Sequence, residues 1–173
     1  MGADFFPESA AIPLATDLGR LLVERKLTCV VAESCTGGMI GAAITSVAGS
    51  SGWFRGGVIA YSNEVKMRLL GIPEQVLAEY GAVSAETVSA MAEGAAKLLG
   101  AGCGVSVSGI AGPGGGSDEK PVGLVYIGIF LGGKTSTFRH KFSGGRAAVR
   151  NAAAGAALKH LIDQLSVTAS TPL

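Results

Sequence analysis

The segment LTCVV, residues 27–31, limits the choice of fold more than any other stretch. It is short, nearly all apolar and lacks the alternation of a half-solvated strand. Such runs are strands buried on both faces, and they occur in parallel sheets covered by helices. Its surroundings supply the helices. Residues 8–26 place Leu14, Leu18, Leu21 and Leu22 on one helical face, and TGGMIGAAITSVAG (36–49) returns to helix. GGVIAYS (56–62) predicts a second strand and CGVSVSGIA (103–111) a third. Between them lie predicted helices over 63–71, 73–81 and 84–100, with Gly71 closing the first and Ser84 capping the last. LVYIGIFL (124–131), Gly132-Gly133 and KTSTFRHKF (134–142) predict a hairpin, since paired glycines permit primed turns. Thr135, Thr137, Arg139 and Lys141 fall on one side of its second strand, as on an edge with a wet face. A closing helix over 144–165 carries Val149, Ala153, Ala157, Leu161 and Leu165 on one side, and the tail STPL is expected to be loose. The order α-β-α-β-α-α-α-β-β-β-α predicts one α/β domain with a mixed, mostly parallel sheet of about five strands between helix layers.

Composition narrows the function. Net charge is +1, from 14 basic and 13 acidic residues, so no electrostatic footprint for direct nucleic-acid binding exists. The two longest uncharged stretches, 36–54 and 98–117, are broken by Gly, Ser, Thr and Pro, which argues against a membrane span. The start MGADFFPES lacks the basic region of a secretory signal, and the three cysteines lack metal-ligand spacing. A cytoplasmic protein without metal or other cofactor is expected.

Ligands of open α/β sheets sit beyond the carboxyl ends of the strands. With the first three strands parallel, three motifs meet there: Glu33-Ser34-Cys35, Tyr61-Ser62-Asn63, and Ser108-Gly109 followed by the glycine-rich loop 112–123. Two candidate nucleophiles stand side by side, Ser34 and Cys35. Neither His140, in the edge strand, nor His160, deep in the last helix, is well placed to take the proton. Lys66 is better placed. In the first turn of a short helix capped by Ser62 or Asn63, its charged form opposes the helix dipole, and partial burial acts in the same direction. A lysine made neutral in this way can serve as a base, as in serine–lysine variants of the serine–histidine arrangement. Backbone N–H groups of Cys35, Thr36 and Gly37, at the start of a helix, are candidate oxyanion donors, and Gly37 and Gly38 would admit a substrate close to the backbone. Arg146 and Arg150, one turn apart, either clamp a phosphate or cover a solvated helix face.

Taken together, AESCTGG, GSSGWFRGGVIAYSNEVK, GAVSAETV, SGIAGPGGGSDEKPVG and GGRAAVR closely resemble the C-terminal domain of the competence/damage-inducible CinA family, which includes stand-alone nicotinamide-nucleotide amidases. The resemblance covers residues 10–165 or so. It implies a three-layer α/β/α sandwich and a hydrolase that converts nicotinamide mononucleotide to nicotinate mononucleotide and ammonia. It implies Ser34 as nucleophile, Lys66 as base and Tyr61 near the reaction centre. Tyr61 is expected to hydrogen-bond Lys66 or Ser34. Ser108, Gly109, Gly112, Gly114 and Arg146 are expected to line the substrate, with the phosphate on glycine-rich backbone or on Arg146. The molybdopterin-binding-like domain that precedes this one in longer members is expected to be absent, and a homo-oligomer is expected. The alternatives are a non-catalytic pyridine-nucleotide-binding module acting through a protein partner in competence or DNA damage response, and a thiol enzyme built on Cys35.

Overall fold

The structure, a computed structural model, describes residues 11–167; the predicted tail 170–173 and the first turn of the helix predicted over 8–26 lie outside them. The elements are α1 (Ala11–Arg25), β1 (Cys29–Glu33), α2 (Met39–Thr45), a 3-10 turn (Ser50–Gly52), β2 (Phe54–Ile59), α3 (Asn63–Leu70), α4 (Glu74–Tyr80), α5 (Ala85–Leu99), β3 (Cys103–Gly109), β4 (Leu124–Leu131), β5 (Lys134–Lys141) and α6 (Arg146–Val167). Their order follows the sequence pattern, with boundary shifts that have local causes. The first strand begins at Cys29 rather than Leu27, because α1 ends with Lys26 in the left-handed region and the Leu27 amide donating back to Leu22 O. Helix α2 begins at Met39 rather than Thr36, because Gly37 (φ 61°) and Gly38 (φ 100°) both leave helical geometry.

One five-stranded sheet runs in the order β2-β1-β3-β4-β5. The β1–β2 and β1–β3 pairings are parallel, and β3–β4 and β4–β5 are antiparallel. Four strands therefore point one way and β4 alone is reversed. The central strands β1, β3 and β4 are largely buried on both faces, whereas the edge strands β2 and β5 are partly exposed. Cys29 and Val31 of β1, with Val105 and Val107 of β3 and Ile127 and Ile129 of β4, pack with α1, α2 and α6. Val30 and Ala32 of β1 face the other way, toward Leu70 of α3, Leu77 of α4, and Met91 and Ala95 of α5. This is the expected α/β/α sandwich, and the amphipathic stripe of α6 is buried as the sequence predicts, at Val149, Ala153, Ala157, Leu161 and Leu165.

The crossovers position the site. The chain leaves β1 toward the α2 face to reach β2, then leaves β2 toward the α3–α5 face to reach β3 on the other side of β1. Successive connections thus diverge at the carboxyl end of β1, and a divergence of this kind opens a crevice there. The register brings the three parallel strand ends level: Glu33 stands opposite both Ile59 and Val107.

Candidate active site

Ser34 is the first residue beyond β1. Its amide donates to Val107 O at 2.9 Å, and on the other side the Ala60 amide donates to Glu33 O at 2.8 Å. The residue is thus held between the ends of β2 and β3, with 8% of its surface exposed. Lys66 comes from α3. Ser62 caps that helix by accepting from the Val65 amide, which leaves Lys66 in its first turn. The side chain runs back toward the end of β2 and is 1% exposed. Its Nζ lies 2.8 Å from Ala60 O, 3.3 Å from Tyr61 O and 3.3 Å from Ser34 Oγ. The sequence motifs at residues 34 and 66 therefore meet, across 32 residues of chain.

No carboxylate forms an ion pair with this amine; the ion pairs among the described residues are Arg20–Glu24, Arg68–Glu64 and Lys159–Asp163. Burial holds the Lys66 pKa below the ordinary lysine value, with Cys35 opposing the shift. Three oxygens thus surround the amine, the carbonyls of Ala60 and Tyr61 and the hydroxyl of Ser34. The ammonium form donates to all three; the neutral form keeps two donors for the carbonyls and turns its lone pair to the hydroxyl.

Cys35, beside the nucleophile, is a buried member of the core. Burial pushes its thiol up to about 11, which disfavours the thiolate a thiol enzyme would need. The two histidines lie away from Ser34's partners and pair with each other, Nε2 to Nε2 at 2.8 Å, between β5 and α6. Phe138 stacks on His160 with ring centroids 3.7 Å apart.

Several expected roles change. The amides at the start of α2 are not open to a substrate. The carboxylate of Glu33, 1% exposed, accepts from Gly38 N at 2.9 Å, Ile40 N at 3.2 Å and Gly41 N at 2.9 Å. The Gly37 amide donates to Ser34 O at 3.1 Å, so it too is committed. The Cys35 amide faces its own sulfur. The Thr36 amide is left without a partner among the described residues, and the Thr36 hydroxyl is likewise buried and unpartnered. The helix-start amides that the sequence suggested as oxyanion donors thus reduce to the turn ahead of the helix.

Tyr61 reaches Lys66 through its backbone carbonyl, not its phenol. Alternation past β2 turns Ala60 inward (0% exposed) and Tyr61 outward (63% exposed), and the phenol oxygen instead accepts from Arg146 at 3.4 Å. The Ser108 hydroxyl donates to Ala82 O at 2.6 Å, a bond internal to the protein. Gly109 makes its close approach to β4, since a Cβ there would lie 2.8 Å from Leu124 O. Gly112 is joined to the site, its carbonyl accepting from Arg146 at 2.9 Å, whereas Gly114 faces open space.

Two residues gain importance. Glu33 fastens the amides of the Gly37–Gly41 segment. Arg150 fastens the preceding carbonyls, donating from Nε to Cys35 O at 3.0 Å and from an Nη to Thr36 O at 2.8 Å. The sequence signal for Glu33 is a carboxylate placed at a strand end just before a glycine pair and a helix. The spacing of Arg146 and Arg150 drew attention to both, but nothing in it shows that their targets are carbonyls. Among the described residues no group of three or more His, Cys, Asp or Glu could hold a metal ion, and no helix is long and apolar enough to cross a membrane.

Comparison with known proteins places this geometry in a family. The model of the CinA C-terminal domain matches residues 11–165. The chain belongs to the CinA C-terminal domain family. It is 54% identical over 145 residues to a CinA-like protein of Endomicrobium trichonymphae, and 53% identical over 134 residues to a putative competence-damage inducible protein of Halothermothrix orenii. These alignments cover 84% and 77% of the chain but only 34% and 32% of the relatives. The CinA domain here thus spans about a third of the length of the curated relatives it matches. Solved structures match over nearly their whole extent. The competence/damage inducible protein CihA from Agrobacterium tumefaciens superposes with a TM-score of 0.88 at 38% identity, covering 95% of this chain and 99% of that one. The competence damage-inducible protein A from Klebsiella pneumoniae gives 0.87 at 35% identity, covering 90% and 97%. The family resemblance read from the five motifs and the α/β sandwich both stand.

Proposed function

We propose that this CinA domain is an amidohydrolase that deamidates nicotinamide mononucleotide through a Ser34 acyl-enzyme, with Lys66 as general base. The observation that carries the proposal is the Lys66 Nζ to Ser34 Oγ approach of 3.3 Å, made by a buried amine whose other two partners are backbone carbonyls. In the first half-reaction neutral Lys66 takes the Ser34 proton while Oγ bonds to the carboxamide carbon. The carbonyl electron pair moves onto oxygen. Collapse of this intermediate expels ammonia, which leaves with the proton held by Lys66. Water then adds to the acyl-enzyme, Lys66 acting again as base, and nicotinate mononucleotide is released. No step needs a cofactor.

Charge supports an anionic substrate. Arg146 and Arg150 flank the serine turn without a carboxylate ion pair, and the charge of Glu33 is engaged by three amides. Arg146 links Gly112 to Tyr61 at the exposed rim, where a phosphate would be received. The decisive experiment is ammonia release from nicotinamide mononucleotide, its riboside and the free base. Wild type should prefer the mononucleotide, and Ser34→Ala should abolish turnover. Undiminished release by Ser34→Ala removes the nucleophile assignment. Calorimetric binding of the mononucleotide with no ammonia released by wild type leaves a binding module instead.

A further inference from the structure

We propose that Ser62 is a positioning residue for Lys66: as an uncharged cap on α3 it fixes the turn that carries the amine and places no counter-charge beside it. The inference rests on the Ser34–Lys66 part of the reading above, but not on the identity of the amide.

Lys66 is gripped at both ends by consecutive residues of the same short segment. Its Nζ lies 2.8 Å from Ala60 O and 3.3 Å from Tyr61 O, and its backbone amide donates to Ser62 O at 3.1 Å. The chain from residue 60 to residue 66 is thus closed into a loop, and Ser62 is where it turns. The backbone of Ser62 is extended (φ −89°, ψ 157°), and its hydroxyl accepts from the Val65 amide at 3.2 Å. Both oxygens of Ser62 therefore hold the first turn of α3, and the carbonyl just before it holds the amine. The helix has only eight residues. One so short has little cooperativity of its own, so its first turn depends on the cap. Lys66 Nζ is in turn 3.3 Å from Ser34 Oγ, and a loosened turn takes that approach with it.

The kind of cap matters as well as its presence. Aspartate caps a helix as well as serine does, and its charge suits the helix dipole. At position 62 it would set a carboxylate one residue beyond the carbonyl that holds Nζ, and a nearby carboxylate favours the ammonium over the neutral amine. The native surroundings avoid this. On α3 itself Glu64 is exposed and paired with Arg68 at 3.0 Å. From β1, the Glu33 carboxylate is taken by the amides of Gly38, Ile40 and Gly41. Glu93 and Lys97 of α5 line a groove with Leu69 and Leu70, at the other end of α3. The Tyr61 phenol turns outward to Arg146. On the serine turn, the Cys35 thiol acts on the charge of Lys66, but it is buried and its pKa is raised to about 11.

The test uses the full chain with Ser62→Ala, Ser62→Asn and Ser62→Asp. The first readout is the pH profile of Ser34 labelling by a fluorophosphonate. The second is the split between kcat and KM for ammonia release. Thermal unfolding reports whether each variant is folded, and the Asn and Asp variants carry the test if Ser62→Ala folds poorly. Ser62→Ala, which has no cap, should slow labelling and lower kcat about fivefold or more, with KM changed less than about twofold. Ser62→Asn restores an uncharged cap and should stay within about twofold of wild type. Ser62→Asp should be as stable as wild type, yet the midpoint of its labelling profile should move up by about half a pH unit or more. A residue that only stabilised the helix would give the Asn and Asp variants one midpoint. Labelling of folded Ser62→Ala at the wild-type rate, or equal midpoints for Asn and Asp, overturns the proposal and leaves the Ser34–Lys66 pair in place. Failure of the probe to label wild-type Ser34 overturns the pair and the proposal together. Labelling that depends on Ser62 in this way, in a wild type that releases no ammonia from nicotinamide mononucleotide, retains the positioning role and ends the amidase reading.

Discussion

At the residue scale the site turns on one amine. A lysine that is 1% exposed, without a carboxylate partner, has its charged form disfavoured by burial. The unprotonated form is the active one in the proposed reaction, so the rate should rise with pH and level off above the Lys66 pKa. The midpoint of that limb should lie below the ordinary lysine value of 10.5, since burial lowers it. A pH–kcat profile checks this; a flat profile, or a midpoint at 10.5 or above, assigns the base elsewhere. Arginine stays protonated at every accessible pH, so Lys66→Arg should lower kcat by about 10²–10⁴, the typical worth of a general base. The identities of Ser34 and Lys66 could be read from the sequence because each sits at a recognisable strand–helix junction. The partners of Tyr61 could not. Strand alternation beyond residue 59 decides which side its phenol takes, and that depends on where β2 ends.

At the element scale, α5 shows how packing reverses a local preference. Gly94 lies in the interior of this helix, where replacing glycine by alanine ordinarily stabilises by about 1 kcal/mol. Here a Cβ would fall on the carbonyl oxygen of Leu70, the last residue of α3. That contact is with backbone, so no side-chain rotation relieves it. Gly94→Ala should destabilise by about 1–3 kcal/mol, the usual cost of overpacking, and urea unfolding should show the midpoint falling with the slope unchanged. A higher midpoint would mean that α3 and α5 can separate. Because α3 carries Lys66, such a separation should appear in kcat as well. The elements themselves were mostly visible in the sequence. The displaced starts of β1 and α2 were not, because each depends on one or two residues in left-handed conformations, Lys26 in one case and Gly37 and Gly38 in the other.

At the scale of the whole molecule, a nearly neutral chain carries a locally cationic site. Net charge is +1, yet Arg146 and Arg150 gather at one end of the sheet. Salt should therefore act on substrate capture rather than on chemistry. Raising ionic strength from about 0.01 M to 1 M shortens the screening length from about 30 Å to 3 Å, and KM for nicotinamide mononucleotide should rise severalfold while kcat stays level. The uncharged form of the probe, nicotinamide with no phosphate attached, should show little change; equal salt effects on both would deny the site its anion preference. The sequence by itself determined the order of elements, the buried faces of strands and helices, and the two side chains proposed for the chemistry. Periodicity and turn residues report on local conformation, and these features are local. Only the tertiary structure decided which backbone groups remained available. Glu33 occupies the start of α2, Arg150 takes the carbonyls of the serine turn from 114 residues or more away in sequence, and Ser108 is engaged by Ala82. Hydrogen-bond partners of this kind are set by the meeting of distant segments, and no local pattern in the chain encodes which groups will meet.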